Sequence, residues 1–580
     1  MQSQPQSFMP SGRGVTTCCG LLLLMVFLIG CGARRQSGPT PVRQVGAPAA
    51  AIKFSDVTGQ AGIHFVATTS RTPSKYLVET MGSGCAFGDY DNDGYLDILL
   101  LNGAPLPGGH VDGRPTLRLY HNNRNGSFTD VTHQAGLDKS VMYAMGVAVG
   151  DYDNDGYDDI YVSCALGPSH LFHNNRQGAF TEVTQRAGVA NNGMWGTSCA
   201  WVDVDNDGYL DLFVCNYVTY RTLKDDIPYY TLGERAYAIP TAFKPSHCVL
   251  YHNNHDGTFT DISQSAGIAT PGKSLGVAVW DVDHDGRPDI YVTNDGMPGF
   301  LFHNLGHNRF EEVGMQMGIA TDEQGQPHAG MGIDVNDLYN EGQSSVVITN
   351  FSGQQTSLYD QASAALYRDD TVSSGVGPPS LNYLAFGTFF FDYDNDGWKD
   401  LFVANGHIQD NIAKEQPQVH YAEEPFLYQN DRNGHFHEVG VASGAPFTRP
   451  LVARGAAWGD YDNDGRLDVL LTCNGGPAYL WHNETPTSNH WLTLKLVGKK
   501  SNRDGIGARI TAQAAGQVQV TYVRSGSSYL AASDLRAHFG LGAATSASLV
   551  VTWPSGIVDH IPAAPADHMW KLVEGSGQLQ

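Results

Sequence analysis

Aspartates recur along this chain at a spacing that could hold a metal ion. The pattern is Asp-x-Asp-x-Asp-Gly-x-x-Asp, first met as Asp89, Asp91, Asp93, Gly94 and Asp97. It returns at Asp151, Asp153, Asp155 and Asp159, then at Asp203, Asp205, Asp207 and Asp211. Further copies are Asp281, Asp283, Asp285 and Asp289; Asp392, Asp394, Asp396 and Asp400; and Asp460, Asp462, Asp464 and Asp468. Carboxylates at positions 1, 3, 5 and 9 around a glycine turn converge on one point, where they repel unless a hard cation neutralises them. Oxygen-only ligands at flexible spacing suit calcium. The backbone carbonyl of position 7 is the expected fifth ligand, from Tyr95, Tyr157, Tyr209, Arg287, Trp398 and Arg466. A seventh copy, from Asp337, carries Tyr339 and Ser345 at positions 3 and 9, so no calcium is expected there.

The acidity of the chain follows from these loops. Formal net charge is -24, and the six intact loops hold 24 of the 59 acidic residues. So negative a chain is a poor partner for nucleic acid.

Each loop sits inside a longer unit. An apolar strand such as Gly146–Gly150 enters and a second such as 159–162 leaves. A third reads Leu-Tyr/Phe-His-Asn, placing His121, His173, His252, His303 and His482 at one repeat position, which points to a structural role. A fourth reads Phe-Thr-Asp/Glu-Val-Thr and runs into Ala-Gly-Leu/Val. Four strands per unit and first aspartates 52 to 78 residues apart imply an all-β, seven-bladed β-propeller. The fourth-strand motif appears early, at Phe54, whereas the last unit stops at Leu480-Trp-His-Asn; an N-terminal strand closing the last blade fits both.

The loops are not EF-hands. Position 12 would have to be a bidentate Glu, but it is Leu100, Val162, Val214, Val292, Val403 or Leu471. They resemble instead the FG-GAP (VCBS) repeats of integrin α-chains, over roughly residues 52–487. The resemblance implies calcium loops in propeller hairpins.

Past Trp481 the pattern stops. Strands begin at His490-Trp491-Leu-Thr-Leu, and the chain carries Ser501–Arg509, Arg524-Ser-Gly-Ser-Ser-Tyr-Leu530, Asp534–Gly542 and Trp553-Pro-Ser-Gly556. These resemble the ASPIC/UnbV domain of cartilage acidic protein-like proteins and of bacterial secreted proteins. The small β-rich domain and tail are assigned to 488–580. Arg503, Asp504, Arg524, Ser527, Asp534, Arg536 and His538 form a polar set from which a pocket could be built, although no Gly-x-Ser-x-Gly elbow is present.

The N-terminus reads as a targeting segment. Apolar residues 20–29 precede Leu28-Ile29-Gly30-Cys31, which resembles a lipobox and makes Cys31 the expected lipidation site. Met9 is an alternative start. Residues 1–31 are assigned as lipoprotein signal and 32–51 as a Pro/Gly/Ala-rich tether. This places the protein outside the cytoplasm, anchored to a bacterial membrane. Cys215 and Cys248 flank a long insertion and are candidates to staple its base.

Unit three inserts Asn216–His247, rich in Tyr217, Tyr220, Tyr229, Tyr230 and Tyr237, with Arg221, Lys224 and Arg235; unit six inserts Gly406–Pro425. Both lie on the face opposite the loops, where a rigid scaffold carries recognition. The reading is a binding or adhesion lipoprotein for a carbohydrate or protein ligand. The alternative is an extracytoplasmic enzyme, or an accessory to one, with its site in the propeller funnel or the C-terminal domain.

Overall fold

The computed structural model describes residues 52–109, 111 and 114–580. Cys31 and the tether fall outside the described residues. Seven four-stranded antiparallel sheets follow one another as blades I to VII. Blade II is typical: Tyr143–Gly150, Asp159–Ala165, His170–Asn174 and Phe180–Glu182 pair in that order. Burial follows from position in the blade. The two inner strands are buried at every residue because neighbouring blades cover both faces. The outer strand buries its Phe and exposes the next two residues. That edge carries Thr, Asp and Glu, which discourage pairing with another chain.

The Ala-Gly-Leu/Val signature also has a local cause. After the outer strand comes a single helical turn, Thr132–Ala135 in blade I, which ends at Gly136 with φ 76°. Only glycine takes that left-handed cap cheaply, and it turns Leu137 into the core.

The ring closes twice over. Each innermost strand packs against the next, and Ala453–Gly459 of blade VII returns to Cys85–Gly88 of blade I. The outer strand of blade VII is Phe54–Asp56, with Phe54 opposite Asn483 and Asp56 opposite Trp481. The first strand of the described chain therefore clips the last blade shut.

The C-terminal strands form a three-stranded sheet and a four-stranded sheet. His490–Val497 lies between Ala537–Gly542 and, in parallel, His568–Val573. From this domain the segment Ser525–Ser533 enters the ring. Ser528 exchanges backbone hydrogen bonds with Ile333 at 2.6 and 3.1 Å, and Ala532 does so with Cys85 and Phe87, both at 3.0 Å. Hydroxyls of Ser525, Ser528 and Ser533 accept from Trp201, Thr388 and Trp458 N–H, and Leu530 N–H donates to Ser198 Oγ. One short segment thus touches the inner strands of blades I, III, V, VI and VII, so it lies on the axis of the ring. It satisfies inner-edge backbone groups that would otherwise need water. The fit is close: a Cβ at Gly84 would sit 2.0 Å from the Leu530 carbonyl.

The opposite end is closed by the insertions. Tyr217, Tyr220 and Phe243 from unit three join Leu77, Met81, Trp195 and Phe386 around buried Tyr529 and Leu530. Tyr237 and Gln409 exchange hydrogen bonds at 3.1 and 2.7 Å, tying the two insertions together. The expectation of a tyrosine-rich recognition loop is therefore corrected in part. Tyr217, Tyr220 and Tyr237 are core residues of a lid, because a seven-bladed ring leaves an axial gap that bulky side chains must fill. Cys215 and Cys248, expected as a staple, lie opposite each other on paired strands, since Val214 faces Val249. Both are buried free thiols, Cys215 donating to the Gly276 carbonyl and Cys248 to Ser274 Oγ.

Candidate metal centre

Every loop is built by the same backbone bonds. The position-6 glycine N–H donates to the position-1 carboxylate in all seven, at 2.6–3.2 Å. In the six intact loops the position-7 N–H donates to the position-5 carboxylate at 2.8–2.9 Å, which fixes Tyr95, Tyr157, Tyr209, Arg287, Trp398 and Arg466 in the turn. Position 9, which begins the second strand, is almost fully buried throughout. Its Oδ1 accepts from the third-strand Asn N–H at 2.8–2.9 Å.

The structure gives the recurring histidines a place. Nδ1 of His121, His173, His252, His303 and His482 lies 2.9–3.2 Å from the position-9 carboxylate of its own blade. Each sits behind that carboxylate and orients it, as groups behind metal ligands do. The Asp211 carboxylate raises His252 to about 9.

Two further contacts escaped the sequence reading. Position 5 takes a contact on its outer oxygen: the Arg124, Arg176 and Arg432 guanidiniums reach Asp93, Asp155 and Asp396 from the outer hairpin, and the His255 ring reaches Asp207 from the same place. Blades IV and VII lack that residue, and Arg287 and Arg466 at position 7 take over, pairing with Asp285 and Asp464. Position 4 matters more. Its side-chain amide donates to the position-6 carbonyl of the following blade: Asn92 to Gly156, Asn154 to Gly208, Asn206 to Gly286, Asn340 to Gly397, Asn395 to Gly465 and Asn463 to Gly94. His284 fills the place in blade IV and reaches the Gly342 backbone. A girdle of side-chain bonds thus runs around the ring from loop to loop. All seven position-4 residues are left-handed, with φ 56–61°, a conformation asparagine tolerates. Six asparagines at one repeat position were the available signal.

The residues fit a hard cation. Oδ1 of Asp89, Asp91, Asp153, Asp205 and Asp462 is buried with no hydrogen-bond partner. Burial, with neighbouring carboxylates adding to it, pushes Asp97 up to about 9, Asp151 and Asp203 to about 8, and Asp281 to about 6. Unpaired oxygens and mutual repulsion are what a divalent ion would relieve, held by positions 1, 3, 5 and 9. Blade V differs. Tyr339 and Ser345, at positions 3 and 9, both donate to Asp360 at 2.5 Å. Asp360 stands on the third strand where five of the other blades hold His and blade VI holds Gln429, so this loop satisfies itself with neutral donors.

The polar set proposed for the C-terminal domain is spent on docking. Arg524 pairs with buried Asp334 at 2.7 Å. Arg536 binds Asp534, Asn463 Oδ1 and the Asp460 carbonyl. The Arg503 N–H donates to Asn154 Oδ1, and Asp504 accepts from Asp151 N–H. His538, pushed down to about 3 by burial and by Lys399, bridges Thr493 and Asn395. Ser527 lies in the axial segment. The domain therefore sits on the loop face and contacts the girdle asparagines directly.

Comparison with known proteins gives these features their class. FG-GAP-like repeats match residues 89–162, 163–214, 242–292 and 392–471, and the ASPIC and UnbV family matches 498–579. The chain belongs to the proteins that join FG-GAP repeats to a C-terminal ASPIC/UnbV domain. It is homologous to cartilage acidic protein 1, which has this architecture. The Mus musculus protein is 25% identical over 505 residues, covering 82% of this chain and 70% of its own length. Integrin alpha-3 of Cricetulus griseus is 27% identical over 229 residues, 36% of this chain and 21% of that one. Among solved structures, an Agrocybe aegerita lectin that recognises non-reducing terminal N-acetylglucosamine aligns at a TM-score of 0.36 and 17% identity, over 61% of this chain and 79% of its own. At that level the likeness says nothing about function.

Proposed function

We propose that the protein is a calcium-stabilised recognition scaffold, held outside the cytoplasm by a lipid on Cys31, that binds a carbohydrate or protein ligand. When bound, calcium would neutralise the loop carboxylates and stiffen the girdle. The observation that carries the reading is the lid hairpin Tyr229–Thr231 and Glu234–Ala236. Its Tyr230 and Leu232 are 63% and 68% exposed, beside Ile227 at 40%, and the chain returns from the hairpin to buried Ala236, Tyr237 and Ala238. An aromatic and aliphatic tip on a rigid base suits contact with a ligand. The enzyme reading has less support, because the axis is filled and the C-terminal polar groups hold the domains together. Among the described residues no helix is long and apolar enough to cross a membrane.

The test is a glycan and cell-surface protein array probed with the full protein, with and without EGTA. Binding is expected with calcium and lost in Tyr230→Ser/Leu232→Ser at unchanged melting temperature. Binding that ignores this double variant, or a turnover reaction on any arrayed compound, would overturn the proposal.

A further inference from the structure

We propose that Asp431, His435 and His437, on the outer hairpin of blade VI, form a site for a divalent transition metal of the zinc class, separate from the calcium loops. Asp431 directly follows the strand Phe426–Asn430, and His437 lies on Phe436–Glu438, opposite Gln429. The Asp431 N–H donates to the His435 carbonyl at 2.8 Å, closing the turn, and Asn433 Oδ1 accepts from the His435 N–H at 2.9 Å. This frame turns three donors to one side. Asp431 Oδ2 lies 2.7 Å from His437 Nε2 and 3.3 Å from His435 Nδ1. One ligand atom from each residue falls within 4.8 Å of the others. Donors bound to zinc at 2.0–2.2 Å in tetrahedral array stand about 3.3 Å apart, so small side-chain movements would complete the site.

The sister blades show that these residues are not part of the repeat. At the positions of Asp431 and His437, blades I, II and III carry Asn123 and Thr129, Asn175 and Thr181, and Asn254 and Thr260. There the threonine hydroxyl donates to the asparagine carbonyl at 3.0–3.1 Å. His435 replaces Ser127, Ala179 or Thr258. A neutral pair that holds the hairpin has thus become one carboxylate and two imidazoles without loss of the turn. Two nitrogens and one oxygen favour zinc, nickel or copper over calcium, with open positions left for water.

The experiment titrates Zn²⁺ into the full protein in millimolar calcium, which keeps zinc out of the aspartate loops. Wild type is expected to bind one more equivalent than Asp431→Asn/His437→Thr, which recreates the sister pair and so keeps the hairpin. His435→Ala removes one of the three donors and should weaken that equivalent by more than the roughly tenfold that losing an outer-shell partner costs, and calcium stoichiometry should stay the same in all three proteins. Equal zinc stoichiometry and affinity in wild type and the double variant would overturn the proposal.

Discussion

The two faces of the ring are held by opposite chemistry. The loop face concentrates carboxylates, several with a buried oxygen that lacks a protein donor, an arrangement that a divalent ion would relieve. The lid face instead buries a cation and an imidazole that backbone groups of the protein partner directly. Arg454 is fully buried and donates to the carbonyls of Thr80, Gly406, Ala453 and His407. His407 is fully buried and accepts from Gln409 N–H at Nδ1. Blade V brings the contrast onto one face. It gave up positions 3 and 9 and filled the space with Tyr339, Ser345 and Asp360, yet it kept Asp337, Asn340 and Gly342. Those three shape the turn and carry the girdle. The loop motif therefore combines two devices, a carboxylate cluster suited to an ion and a mechanical link, and blade V has only the second.

Chelation should separate the faces most sharply. At tenfold calcium over Kd, one site contributes about 1.4 kcal/mol, and six such sites on the order of 8 kcal/mol. Calorimetry in EGTA should show the melting temperature falling by roughly 10 °C or more. An unchanged melt would erase the distinction between the faces. Acid is the converse probe. Burial, then the nearby Arg454 charge, push His407 down to about 4. This lies below the ~6.5 of an unfolded histidine, so the stability it contributes is present above pH 6.5 and is lost as pH falls towards 4. The loss is on the order of 3 kcal/mol. The gap between wild type and His407→Gln should shrink over that interval; a constant gap would mean that acid acts elsewhere. Smaller still is the link alone. Asn340→Ala removes one hydrogen bond, worth ~1 kcal/mol, and strains a left-handed residue by about another. It should lower stability by about 1–2 kcal/mol with calcium stoichiometry unchanged, whereas Asp394→Asn should remove one calcium.

What the sequence revealed and what it hid follow one rule. Repetition made the loops, the four strands, the early Phe54 strand and the failed fifth loop legible, because each position could be read against its copies. Asn92 and its counterparts were equally repeated. Their role was invisible because the motif's chemistry sits at 1, 3, 5 and 9, and a bond to the next blade has no local signature. Parts that occur once were hidden. Nothing in Arg524-Ser-Gly-Ser-Ser-Tyr-Leu530 shows that it fills a channel whose walls come from five blades. Tyr217 and Tyr220 likewise looked like surface tyrosines until the axial gap they cover was in view. The polar set from Arg503 to His538 had residues suited to catalysis, and only its partners Asp334, Asn154, Asn395 and Asn463 show that it docks one domain on another.

The finest test concerns the histidine behind each ion site. In blade III, His252 Nδ1 stands 2.9 Å from Asp211 Oδ1, an oxygen that also accepts the Asn253 N–H. These contacts hold the carboxylate in one orientation, so a bound ion meets a ligand already aimed. Without the imidazole the carboxylate gains freedom that binding must remove, and affinity at that one site should fall about tenfold. Blade VI supplies the control, because Gln429 stands at the histidine position there. His252→Gln should therefore keep an oriented partner and recover most of the loss seen in His252→Ala. Competition against a chromophoric chelator would resolve one weakened site among six. If Ala and Gln behaved alike, the histidines would be packing residues, and the ion sites would end at their four carboxylates.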